Sequence, residues 1–313
     1  MEAKTQAPTW KTLLAFAIIY FVWGSTFLAI RIGVQEVPPF LLAAMRFFAA
    51  GLILYAWMIA RGERSPSWRQ WMSAFLLALL IFVLDYGLLF WAEQRVPSGV
   101  AAVMMATIPV FMALSEIILL RTQKLTFRLA LALLIGMGGV TVLMSHSLSF
   151  GGEPTDRAGA LALIVASMSW SVSSALTRKL PLPPSKVMSS GAQMLVGGVL
   201  LALTAAGLGE FHRFHPSTVS AGAWLSLLYL IVAGSIIGFT AYVWLIHHES
   251  PTKVGTYAYV NPVVAVLVGY FLGGETLGLR TILGTLFVLI SVVVITTTRV
   301  KKLAAALVTE DSG

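Results

Sequence analysis

The sequence predicts an all-α membrane protein of ten transmembrane helices, arranged as two inverted five-helix repeats around a central cavity. Three observations predict it. Of 313 residues, 58% are hydrophobic and 11% are charged, against roughly 45–50% and about 25% in soluble domains. Apolar runs long enough to cross a bilayer follow one another at short intervals. The two halves of the chain also match each other at a nearly constant offset.

The apolar runs fall at 11–32, 38–60, 70–92, 98–120, 127–146, 158–178, 185–208, 221–246, 253–274 and 280–298. At about 1.5 Å per residue each reaches across a hydrocarbon core of ~30 Å. What remains averages about nine residues per end or loop, so no polar stretch can fold an external domain. The first run follows Lys4 and Lys11 in the manner of a signal peptide. It is too long for one and lacks a small-residue cleavage site, so it reads as a retained span.

Lys and Arg placed on alternate sides of these runs divide 15 to 5, with Arg46 left inside a span. The richer side holds both termini, which the positive-inside rule places in the cytoplasm of a multi-pass inner-membrane protein. The net charge of +8 is therefore loop charge, and no nucleic-acid partner is expected. The chain has no cysteine, which excludes disulfides, thiolate metal sites and a catalytic thiol. His212 and His215 can share a helical face but have no third ligand, so no metal is expected. No HExxH, GxSxG or Walker sequence occurs, so neither an enzyme nor ATP-driven pumping is expected, and no cofactor.

Shifting residues 71–140 by 153 lays Trp71 on Trp224, Trp91 on Trp244 and Pro109 on Pro262; shifting the first two runs by 147 lays Trp23 on Trp170 and Arg46 on Gln193. The expected division is 1–147 for the first repeat, 148–299 for the second and 300–313 for a cytoplasmic tail. Five spans is an odd number, so the second repeat lies upside down relative to the first. That arrangement offers two near-equivalent packings, the logic of alternating access. Pro109 and Pro262 interrupt helical hydrogen bonding near mid-membrane, where they act as hinges or simply shape a bend. Gly234 with Gly238, and Gly269 with Gly273, have the spacing that lets helices approach closely.

Candidate cavity residues are those that share faces at helical spacing. They are Tyr20, Trp23 and Phe27 in the first span and Trp170, Ser171 and Ser174 in the sixth. Phe82 and Tyr86 come from the third, Met104 and Ile108 from the fourth, Tyr242 from the eighth, and Tyr257 with Asn261, the one asparagine, from the ninth. One face is aromatic and its repeat partner hydroxylated, which suits a solute part apolar and part polar; packing between helices is the alternative. Arg46 and Asp85 lie at similar depth, so an ion pair is expected, because an unpaired charge there is expensive. Asp85 is then either a coupling or cation-binding carboxylate or a structural counter-ion.

The segments WGSTFLAIRIGV (23–34), PPFLLAAMRFFAAG (38–51), VPSGVAAVMMATIPVF (96–111) and YAYVNPVVAVLVGYFLGGETL (257–277) resemble EamA-type members of the drug/metabolite transporter superfamily. The likeness is to its YedA-like and YddG-type bacterial exporters. It implies ten helices in two inverted repeats, termini inside, and a cavity open to alternate sides. Studied members export amino acids, their metabolites or cationic drugs. The expected function is export of amino acids, aromatic ones included, or similar small amphipathic metabolites. A proton-coupled exporter of hydrophobic cations is the alternative, and a membrane scaffold or sensor a third. The expected partners are a small-molecule substrate and the lipid bilayer, and one chain suffices to enclose the cavity.

Overall fold

The computed structural model describes residues 9–95, 104–143, 156–273 and 279–297. Helices follow one another in chain order: α1 (Thr9–Glu36), α2 (Pro39–Ala60), α3 (Trp68–Ala92), α4 (Ile108–Leu120), α5 (Phe127–Leu143), α6 (Arg157–Thr177), α7 (Lys186–Gly207), α8 (Ala221–His248), α9 (Tyr257–Gly273) and α10 (Leu279–Thr297). Among the described residues there is no strand. Six helices (α1, α2, α3, α6, α7 and α8) are long and apolar enough to cross a membrane, while α4, α5 and α10 contribute shorter apolar stretches.

Local chemistry sets the boundaries. Pro38 and Pro39 separate α1 from α2, and Pro39 suits a first helical turn because its missing N–H has no intrahelical partner there. No side chain of its own caps α2; instead Glu210, beyond the end of α7, accepts from Leu41 N at 2.8 Å. Burial raises the pKa of that carboxylate, while the Leu41 and Phe40 N–H groups pull it down. Asp156 caps α6 through Ala158 N (2.8 Å) and Gly159 N (3.1 Å). The Gly159 bond holds its carboxyl below the usual range, with the Ala158 bond and Arg95 acting in the same sense.

The packing comes in pairs. Helix α2 lies on α7 and α5 on α10, while α1 packs on α8 and α9 as α6 packs on α3 and α4. The main pairings of one half have counterparts in the other. Glycine permits the closest crossings: a Cβ on Gly51 would stand 2.3 Å from Leu195 N, and one on Gly198 2.4 Å from Phe48 N. The pair Gly234 and Gly238 has another use. A Cβ on Gly238 would meet the Trp23 indole nitrogen at 2.5 Å, and one on Gly234 the Arg46 guanidinium at 2.8 Å. These glycines admit side chains rather than a neighbouring backbone.

Two departures from regular α-helix recur at matching positions. Helix α3 is π-helical over Leu79–Gly87 and α8 over Leu230–Ile237, stretches that overlap in the repeat alignment. Each offers a carbonyl to the opposite half. Trp23 Nε1 on α1 donates to Gly234 O (3.0 Å), and Ser169 Oγ on α6 donates to Leu80 O (2.8 Å). π-helical geometry inside an α-helix is frequently found at functional sites.

Apolar side chains cover the outside of the bundle as well as filling most of its core, while some polar side chains are buried within it. Phe21, Leu28, Trp57, Leu76, Leu161, Leu225 and Leu286 face outward, whereas Ser171, Ser173, Ser174 and Gln193 are fully buried. Outward apolar surface carried on helices that satisfy their own backbone is what a bilayer demands.

Candidate functional site

Helices α1, α3, α6 and α9 meet around a narrow cavity of about 40 Å³. Its lining includes Trp23, Thr26 and Ile30 of α1, Asp85, Tyr86 and Leu89 of α3, Met105 just before α4, Trp170 of α6, and Tyr257 and Asn261 of α9. A space of that size admits a few waters and no drug-sized solute. The aromatic walls interlock: ring centroids lie 4.9 Å apart for Trp23–Tyr257, 5.5 Å for Trp23–Trp170 and 5.8 Å for Tyr86–Trp170. Edge-to-face geometry of this kind fixes ring positions beyond simple burial.

Of the residues singled out in the sequence, Trp23, Tyr86, Trp170, Tyr257, Asn261 and Asp85 therefore share one cavity. The side-chain placement of Phe27 lies outside the described residues. Tyr242 stands behind the wall, 4.7 Å from the Trp170 ring centroid, with its hydroxyl bonded to Ser174 Oγ. Phe82 is not among the lining residues; it lies parallel to Tyr86 and packs behind it against Phe47 and Phe239. The hydroxyl face of α6 is turned to backbone: Ser171 Oγ donates to Ser167 O (2.7 Å) and Ile108 O (3.3 Å). Ile108 is buried and Met104 half-buried, and neither is among the lining residues.

The two prolines differ. Pro262 sits inside α9. Pro109 does not kink a continuous helix: Ala106 and Thr107 form a turn after Met104 and Met105, and Pro109 occupies the first turn of α4. There its lack of an N–H carries no penalty.

The expected Arg46–Asp85 ion pair does not form. Arg46, 1% exposed, donates from Nε to Ser235 Oγ at 2.8 Å and lies over the rings of Phe47 (4.6 Å) and Tyr86 (5.2 Å). Asp85 is 2% exposed and its Oδ1 has no partner among the described residues. The ion pairs those residues do form are Arg95–Asp156 and Lys253–Glu249, both at 3.6 Å. Among the described residues no group of three His, Asp or Glu is placed to hold a metal.

Toward the N-terminal end of α1 the cavity is shut by bonds between the halves. Tyr20 Oη and Thr256 Oγ1 are 2.7 Å apart, and the Asn261 amide, oriented toward two carbonyls, donates to Tyr257 O (3.0 Å) and Tyr20 O (3.2 Å). Glu116, fully buried at the end of α4, accepts from Thr252 Oγ1 (2.7 Å) and Thr252 N (3.1 Å) at the head of the short helix Pro251–Val254. A carboxylate at a helix N-terminus meets unpaired N–H groups and the positive end of the helix dipole. Glu116 and Thr252 lie 136 positions apart, beyond the reach of any local sequence pattern.

A helical bundle with apolar outer walls, paired halves and an internal aromatic cavity closed at one end has the construction of a multi-pass membrane transporter. The EamA-like transporter family model matches twice, over residues 10–145 and 157–297. The chain belongs to that family. It is 38% identical over 279 residues to the uncharacterized inner membrane transporter YedA of Escherichia coli (strain K12), covering 88% of this chain and 87% of that protein. It is 27% identical to an uncharacterized transporter of Archaeoglobus fulgidus, over 88% and 93% of the two chains. The protein PagO of Salmonella typhimurium is 24% identical over 86% and 88%. Among solved structures that share the fold is a crystal structure with a TM-score of 0.74 at 21% identity across 93% of this chain and 98% of that one.

Proposed function

We propose that this protein exports amino acids or similar small amphipathic metabolites across the inner membrane by alternating access, with ten spans and both termini in the cytoplasm. The observation that carries the reading is the aromatic cavity at the meeting of both halves, sealed toward one end by the Tyr20–Thr256 and Glu116–Thr252 bonds. By the distribution of Lys and Arg that end is cytoplasmic. Export then requires those bonds to open toward the cytoplasm, the solute to enter among Trp23, Tyr86, Trp170 and Tyr257, and the seal to re-form before release outward. At about 40 Å³ the cavity must widen to load, which fits a two-state bundle better than a fixed pore. Pro262 within α9 and the turn before Pro109 are the natural places to flex.

The second reading, export of hydrophobic cations, is favoured by Asp85 in an aromatic surround, because ring faces attract cations. The test uses the full chain in liposomes loaded with labelled amino acids and, separately, a labelled viologen, followed with and without a pH gradient. Amino-acid efflux supports the first reading; gradient-dependent viologen efflux alone supports the second; flux of neither overturns both.

A further inference from the structure

Asp85 is the buried charge that the fold leaves unanswered. Four charged side chains are buried among the described residues: Arg46, Asp85, Glu116 and Glu210. Three have partners in the protein. Arg46 bonds Ser235 through Nε, although its Nη1 has no acceptor and it is not among the lining residues; Glu116 holds Thr252 and Glu210 caps α2. Asp85 alone keeps an oxygen without a donor, and it does so on the wall of the cavity. Asp85 and Tyr86, within the π-helical stretch of α3, and Leu89, just beyond it, reach that wall together. A carboxylate buried in low-dielectric surroundings requires a cation or hydrogen-bond donors. None of the named lining residues is cationic, and the faces of the aromatic rings that share the wall with Asp85 favour a cation over an anion wherever a solute meets them.

We infer that Asp85 is the group that reads the ammonium of the transported solute. The free Oδ1 accepts an N–H from a primary ammonium, while Trp23, Tyr86, Trp170 and Tyr257 pack on the carbon skeleton. The inference rests on the transport reading and narrows it. Free amines and amino acids are taken, whereas their hydroxy-acid and N-acylated counterparts, which bring no cation, are refused. The position matching Asp85 in the second half is Gly238, so the repeat supplies no second carboxylate there. One ammonium per cycle follows.

Binding and flux are measured separately so that the two proposals fail separately. In detergent, the tryptophan fluorescence of the full chain is titrated with phenethylamine, phenylalanine and phenyllactate. In phosphatidylethanolamine–phosphatidylglycerol liposomes, efflux of labelled phenylalanine is followed with the other two as competitors. The expected result is binding of both amines about tenfold or more tighter than phenyllactate, since rejecting a ligand that lacks the required donor is what a buried polar group does best. Asp85→Asn brings the three within about twofold and Asp85→Glu restores the preference. Equal binding of phenethylamine and phenyllactate by the unaltered protein, or binding of neither, overturns the inference without recourse to a variant. A preference that survives in folded Asp85→Asn also overturns it. An amine preference without phenylalanine efflux supports the ammonium site and overturns the amino-acid export reading.

Discussion

Thr252→Val isolates the seal at the end of the cavity nearer the α1 N-terminus. The substitution keeps the shape of the side chain and removes the hydroxyl that donates to Glu116 at 2.7 Å, leaving the 3.1 Å backbone bond in place. A hydrogen bond to a charged group contributes about 1.5–3 kcal/mol. If that bond exists only in the sealed conformation, its loss shifts the sealed-to-open equilibrium roughly 10- to 150-fold toward opening. The chain has no cysteine, so one introduced thiol reports without background. Met112, fully buried where a Cβ on Gly255 would approach its sulfur to 2.6 Å, is the position to use. In Met112→Cys, labelling by a small permeant thiol reagent should accelerate by about that factor when Thr252→Val is added. An unchanged labelling rate, accompanied by a melting temperature several degrees lower, would refute the reasoning and leave the Glu116 bonds as part of the static fold.

Trp170→Ala should cut transport by about tenfold or more while membrane insertion stays near normal, because the ring walls the cavity; equal loss of inserted protein would return it to packing. Gly51→Ala places a Cβ 2.3 Å from Leu195 N at the α2–α7 crossing. It should destabilise by about 1–3 kcal/mol, seen as a lower melting temperature in detergent. Glu93, just past the end of α3, has its pKa pushed up from 4.5 to about 8 by burial, with Arg31 pulling the other way. A raised folded-state pKa stabilises below the ordinary value, and that stability is lost as pH rises through the folded one. Melting temperature should therefore fall between pH 4.5 and about 8 and flatten in Glu93→Gln; equal slopes would remove Glu93 as the cause.

Much of the plan was legible because it lies in the periodicity of apolar residues and in self-similarity. Trp23, Tyr86, Trp170, Tyr257 and Asn261 were found by their spacing, and they line one cavity. Phe82 was paired with Tyr86 on regular helical geometry. Their rings do lie parallel, with centroids 6.1 Å apart, but of the two only Tyr86 reaches the cavity, while Phe82 packs behind it against Phe47 and Phe239. Ser171 and Ser174 read as polar lining by type, yet short hydroxyls on a helix turn to backbone carbonyls nearby, as both do here. Thr26, Ile30, Leu89 and Met105 complete the wall and were missed, because their residue types carry no signal that separates lining from packing. Arg46 and Asp85 were matched by depth alone, and depth does not say toward which helix a side chain turns. The cap that Glu210 provides to α2 spans 169 positions in the chain, beyond any local pattern.

The two wide turns have a consequence for how this chain is built. In α3 the distorted stretch gives its Leu80 carbonyl to Ser169, and in α8 the matching stretch gives its Gly234 carbonyl to Trp23. Each distortion is thus met by a donor encoded in the opposite half of the gene. A five-helix fragment expressed alone would carry the residues of its own third helix but not the side chain that answers its bent backbone. Doubling the sequence therefore did more than supply a second copy. It made each half the mould in which the other acquires its working shape.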